Sequence, residues 1–192
     1  PWITPTPADL AGKLIDASPL LRGNPGAHAG EHSIEVQLPL IRAIDRAVRI
    51  VPIGMPPDPV AVEAGRVVGE VLKALGRDDV CIIGSSDLTH HGGHFGSPGG
   101  SGEQSEAFAT ENDERILALV TELKAEEIVP EVRKHRNACG AGAIAATLAA
   151  VTAMGATPGR LLEYTNSYRL THEHYPWALD DTTVGYASVV FF

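Results

Sequence analysis

The sequence is poor in cysteine and in basic side chains, and it contains no long apolar run. Two cysteines in 192 residues argue against a disulfide-stapled framework and suit a reduced, cytoplasmic compartment. Lys and Arg number 15 against 24 Asp and Glu, for a formal net charge of −9. That balance excludes nucleic acid and an anionic membrane as main partners. No stretch approaches the roughly 20 apolar residues that a bilayer span needs, and the opening residues do not read as a secretory signal. Several catalytic signatures are missing too. There is no Gly-x-Ser-x-Gly elbow and no Cys-x-x-Cys. The glycine-rich stretch 92–102 lacks the Gly-Lys-Ser/Thr ending of a phosphate loop, and no dinucleotide fingerprint follows a strand.

What is present fits one globular domain: 192 residues, 44% hydrophobic and 20% charged. The opening Pro1-Trp2-Ile3-Thr4-Pro5-Thr6-Pro7 resembles an internal loop, so the chain is expected to be a fragment, a processed product or part of a longer protein. An amphipathic piece covers 10–21, and apolar residues at 34, 38 and 41 have helical spacing. Residues 49–54 read as a buried strand, 59–75 as a helix stopped by Gly76, and 80–84 as the next strand. Helical patterns follow at 106–123, 125–136 and 140–154, the last alanine-rich and tightly packed, and final strands at 160–168 and 182–192. Strands alternating with helices imply an α/β sandwich. The final two strands lack a predicted helix between them, so the sheet is expected to be mixed.

One segment concentrates ionisable side chains. Ser85-Ser86-Asp87-Leu88-Thr89-His90-His91 follows the apolar run Val80-Cys81-Ile82-Ile83-Gly84, and the carboxyl end of a core strand is where open α/β sheets place their chemistry. If the turn enters a helix, Asp87 and His90 share a face. They would then form a base oriented by a carboxylate, or a pair of metal ligands. His32, between Glu31 and Ser33, is either a surface histidine near a helix start or a ligand whose tautomer a carboxylate fixes. Cys139, ahead of the Ala/Gly-rich helix, is either a small buried hydrophobe or a nucleophile and soft metal ligand. Ser86, His91 and His94 are candidate cleft-lining residues. His172 and His174 sit in a Pro/Tyr/Trp-containing loop, and His28 and His135 have no constellation. A mixed N/O/S set of this kind suits iron, copper or zinc over magnesium or calcium.

Glu31-His32-Ser33-Ile34-Glu35-Val36-Gln37-Leu38-Pro39, Ser85-Ser86-Asp87-Leu88-Thr89-His90 and Asn137-Ala138-Cys139-Gly140, in that order, resemble the MEMO family, whose prokaryotic members are called AmmeMemoRadiSam system protein B. The stretches Tyr164-Thr165-Asn166-Ser167 and Asp181-Thr182-Thr183-Val184-Gly185-Tyr186-Ala187 are also similar, so the resemblance covers the chain. It implies a fold related to the class III extradiol dioxygenases: a three-layer α/β/α sandwich with a mixed, mostly parallel sheet. By the same resemblance His32 corresponds to a metal-ligand histidine, and Cys139 to the position of the dioxygenases' ligand glutamate. His90 corresponds to their catalytic histidine, with Asp87 lining the cleft. A further ligand histidine, in a His-x-Gly-like segment after the family's first strand, has no counterpart upstream of Glu31. Residues 1–192 are thus expected to be a single MEMO-like domain lacking that strand and its histidine.

The leading expectation is a metal-dependent oxidoreductase with a redox iron or copper site, zinc being possible. The implied partners are radical-SAM and AMMECR1-like proteins and a small molecule or peptide in the cleft. A non-catalytic module that binds a peptide or protein through a vestigial cleft is the alternative, and a metal-dependent hydrolase a weaker one.

Overall fold

Apolar residues spaced three and four apart build most of this molecule. The computed structural model describes residues 5–97, 102–177 and 182–192. Helix α1 spans Ala8–Ala17 and buries Leu10 and Leu14. Helix α2, Leu38–Ile44, is entered through a 3-10 turn at Glu35–Gln37. Helix α3, Val60–Ala74, buries Ala61, Ala64, Gly65, Val68, Gly69 and Leu72 as one stripe. Helices α4 (Glu103–Thr121), α5 (Ala125–His135) and α6 (Ala141–Met154) follow the sequence reading within a few residues.

Strand β1 is His90–Gly92, β2 is Arg160–Asn166 and β3 is Thr182–Val190. They form one sheet in the order β1-β3-β2. β3 pairs antiparallel with both neighbours, His90 lying opposite Val184 and Thr165 opposite Tyr186. The α/β class holds, but the sheet of the described residues is small and antiparallel. The runs 49–54 and 80–84, expected as buried strands, form no ladder. Their alternate residues Val51, Ile53, Val80 and Ile82 do pack on the core beside α1 and α3. Yet among the described residues no backbone hydrogen bond joins the two runs. Alternating hydrophobicity buries one face, but a ladder also needs a neighbour within hydrogen-bonding reach. Cys81, on the other face, is exposed, and Ile83 is 57% exposed.

Two further elements differ from expectation. Residues 85–89 form no helix, because β3 captures their backbone: the Leu88 amide donates to the Gly185 carbonyl and the Gly185 amide to the Thr89 carbonyl, each at 3.0 Å. Helix α7, Ser167–His174, replaces the expected loop around His172 and His174. The Asn166 side chain accepts the Arg169 amide at 2.9 Å and starts it. The described part of the 92–102 stretch contains a 3-10 turn, Gly93–Phe95; residues 98–101 lie outside the described residues.

Two clusters make the core. One gathers Leu88 with Ile116, Ile128, Ala145 and Leu148 of α4, α5 and α6. The other gathers Leu10, Leu14, Ala64, Val68, Leu72 and Ala150 of α1, α3 and α6. Helix α6 joins them by packing tightly on α3: a Cβ on Gly65 would collide with the Ala146 backbone. Each fully buried Ile or Leu contributes about 1.5–3 kcal/mol. Among the described residues, no helix is long and apolar enough to cross a membrane.

Candidate functional site

Hydrogen bonds tie the three separated motifs into one site. The Glu31 carboxylate accepts the amides of Ser33 at 2.6 Å and Ile34 at 3.0 Å, and also the Ser33 hydroxyl. Burial pushes the Glu31 carboxyl up, but these bonds outweigh it and hold the group below the usual range. This knot starts the 3-10 turn and places His32, which is exposed. The Ser85 hydroxyl then donates to the Ser33 carbonyl at 2.9 Å, and the Gln37 amide nitrogen donates to the Ser85 oxygen at 3.3 Å. Ser86 makes the second tie. Its oxygen accepts the Gly140 amide at 2.8 Å and lies 3.7 Å from the Cys139 sulfur. The Cys139 amide donates to the Asp87 carbonyl at 3.1 Å. Arg136, in the left-handed region at φ 53°, ends α5 and turns the chain toward this contact.

Asp87 and His90 meet although the turn enters no helix. His90 Nε2 lies 3.5 Å from Asp87 Oδ2, and both side chains are part-exposed. Phe95 stacks on the imidazole with ring centroids 4.8 Å apart, and His94 stands edge-on to Phe95 at 5.4 Å. Strand alternation separates the two neighbouring histidines. His91 turns inward, is buried, and packs on the Phe108 ring of α4 at 4.3 Å. It therefore belongs to the protein side of β1, not to the open side with His90. His172 and His174 lie on α7, where each Nδ1 is 3.0 Å from a carbonyl one turn back, Tyr168 and Leu170 respectively.

Beneath this turn lies a buried polar floor that the sequence reading missed. Asp113 Oδ1 accepts the Thr89 amide at 2.8 Å, and Oδ2 accepts the Tyr164 hydroxyl at 2.9 Å. Burial raises the Asp113 carboxyl, and burial with the nearby carboxylate pushes Tyr164 up to about 12. The Asn112 side chain donates to the Thr89 hydroxyl at 3.1 Å and to the His135 carbonyl at 3.0 Å. Asn137 donates to the Asn112 carbonyl at 3.0 Å and to Glu131 at 3.1 Å. A signal for this floor exists in the sequence: Asn112 and Asp113 fall on the apolar stripe of α4, with Ala109, Ile116, Leu117 and Val120. Tyr186 of β3 is exposed; burial and the charge of Asp87 raise its phenol.

Among the described residues, no three His, Cys, Asp or Glu side chains converge closely enough to hold a metal ion. A structural or catalytic transition-metal site takes at least three protein ligands, so His32 and Cys139 do not fit iron, copper or zinc as a complete centre. The arrangement itself offers an imidazole with a carboxylate partner, a hydroxyl against a thiol, and a rigid floor. Grooves of about 350 and 230 Å³ lie elsewhere, the first on α4 and α5, the second where α3, α5 and α6 meet.

A family profile described as Memo-like protein matches residues 7–190. A MEMO1 family protein of Pyrococcus abyssi is 34% identical over 203 residues, covering 98% of this chain and 67% of the relative. One from Methanopyrus kandleri is 32% identical over 199 residues, covering 99% and 64%. One from Pyrococcus horikoshii is 32% identical over 203 residues, covering 98% and 67%. The chain thus spans about two thirds of the length of these curated relatives.

Proposed function

The chain belongs to the Memo-like family, and from that premise we propose that the junction of its three motifs is a dioxygenase-like redox site with a proton-handling pair and two metal donors. The observation that carries the reading is the hydrogen-bonded convergence of Ser33 on Ser85, Cys139 on Asp87 and Gly140 on Ser86. His90 takes up and returns a proton at Nε2, and Asp87 orients it. His32 and Cys139 contribute two donors toward iron or copper, with zinc the alternative ion. A complete centre needs a third donor beside these two. The fold we propose for this site is a three-layer sandwich with a mixed, mostly parallel sheet. A reducing cytoplasmic setting fits the two free cysteines, both exposed, and radical-SAM and AMMECR1-like proteins are the proposed partners.

Metal titration with Fe(II), Cu(II) and Zn(II) tests the site. The His32→Ala and Cys139→Ala proteins should each lose roughly tenfold or more in affinity. Equal uptake by all three proteins sinks the donor assignment. A second reading, a peptide- or protein-binding module without turnover, is favoured by the absence of three convergent donors among the described residues. Metal-dependent oxygen consumption with a catechol-type substrate rules that reading out.

A further inference from the structure

The proposed proton transfer turns on His90, yet its carboxylate partner does not fix its ring. Nε2 lies 3.5 Å from Asp87 Oδ2, longer than the roughly 2.7–3.2 Å of a directional hydrogen bond. The Asp87 side chain is 50% exposed, so water competes for the contact. The terminal torsion of a histidine has broad minima of its own. One loose contact at one ring atom therefore leaves the imidazole plane free to turn.

Phe95 makes the second contact. Its ring is stacked on the imidazole, with centroids 4.8 Å apart and planes within 16° of parallel. The local backbone is shaped to bring it there. Gly92, the last residue of β1, has φ 119° and ψ 173°, and Gly96 is left-handed at φ 69°; residues with a Cβ rarely adopt the first of these. Between them the Gly93–Phe95 turn folds the chain back toward His90. The Gly96 amide closes it on the Gly93 carbonyl at 3.1 Å, and the Ser97 amide on the Gly92 carbonyl at 3.3 Å. His94 stands edge-on to the far partner of this stack, its centroid 5.4 Å from that of Phe95. Phe95 is 42% exposed and belongs to neither core cluster. Packing of the interior thus does not account for its place.

We propose that Phe95 is the positioning residue of His90: its stacked ring holds the imidazole plane so that Nε2 stays directed at Asp87, and it covers one imidazole face, which leaves a ligand the other face and the Nε2 edge. This deepens the reading of His90 as the proton-handling group and rests on it. Aromatic pairs in this geometry favour the stacked arrangement by roughly two- to tenfold. Proton transfer depends on that kind of alignment, because the base has to lie within hydrogen-bond reach of the proton it takes.

The test needs no substrate. In wild type the NMR resonances of His90 Hδ2 and Hε1 should lie upfield of those of a free imidazole, as the ring current of a stacked Phe95 requires. Resonances at the free position overturn the proposal before any variant is made. Phe95→Leu should return them toward that position, and Phe95→Tyr should keep them upfield. Carbethoxylation by diethyl pyrocarbonate, localised by tandem mass spectrometry, reads the consequence. His90 should react roughly two- to tenfold faster in Phe95→Leu and at the wild-type rate in Phe95→Tyr, with the buried His91 unchanged in both. Equal acceleration at His90 and His91 reports a general loosening, and no acceleration reports an imidazole that Phe95 does not hold; either overturns the proposal. None of these readouts involves metal or oxygen. If metal-dependent oxygen uptake fails while they hold, the redox reading falls and Phe95 still positions the imidazole; the reverse outcome removes Phe95 alone.

Discussion

The Cys139 backbone amide donates to the Asp87 carbonyl at 3.1 Å. Cys139 and the Asp87–His90 turn, far apart in sequence, are thereby joined directly. Ser86 strengthens the link by accepting the next amide, that of Gly140, at 2.8 Å.

Ser86→Ala should therefore loosen this junction. The Gly140 amide loses its acceptor, and stability falls by about 1 kcal/mol. Iodoacetamide should alkylate Cys139 faster than in wild type, read by mass spectrometry at that peptide, with Cys81 as internal reference. Unchanged kinetics and an unchanged melting temperature together would remove Ser86 from the site.

Asn137 is fully buried and bonds both Asn112 and Glu131. Asn137→Ala leaves the Asn112 carbonyl without this partner, and we expect a loss of about 1–3 kcal/mol. Denaturant unfolding measures it. The exposed Arg115→Ala, whose ion pair with Glu111 is on the surface, should stay within about 1 kcal/mol of wild type.

Gly65 tests the seam between α3 and α6. A methyl group at this position meets the Ala146 backbone, which cannot rotate away. Gly65→Ala should cost about 1–3 kcal/mol, despite alanine's higher helix propensity, and lower the melting temperature by about 2–4 °C per kcal/mol. A stabilised variant would show that the helices are further apart than described.

Glu31 and Asp113 give opposite pH signatures. The folded Glu31 carboxyl is held below its ordinary 4.5. Its contribution is present above that value and lost as pH falls through the depressed one. Protection of the Ser33 and Ile34 amides, followed by hydrogen exchange, should fall in that acid window and be insensitive to pH in Glu31→Gln. The folded Asp113 carboxyl is raised above its ordinary 3.8. The native state then binds more protons than the unfolded chain, so its contribution declines as pH rises from 3.8 through the raised value. Urea unfolding should show that slope in wild type and lack it in Asp113→Asn.

Much of the site was legible because its residues are unusual for their places. An acid and two histidines crowd behind an apolar run, and a thiol precedes a small-residue helix. The floor was not legible in the same way. Asn112 and Asp113 look like ordinary helical polar residues until their positions on the α4 stripe are counted. Whether the turn after residue 84 enters a helix was undecided locally for a related reason: β3, almost a hundred residues later, supplies the backbone partners that hold 88 and 89 in a ladder-like pairing.

Local sequence by itself determined helices α1 to α6, since the spacing of apolar side chains fixes which face each helix can bury, but not α7. It also marked the three polar motifs, and in them His32, Asp87, His90 and Cys139. Only the tertiary structure decided how they meet. It turned His91 inward and His90 outward, set Cys139 on Asp87, and buried the Asp113 carboxylate against the Thr89 amide. The runs 49–54 and 80–84 show the same division. Their alternation is local and buries one face, whereas a ladder depends on a neighbouring backbone that no local pattern can provide.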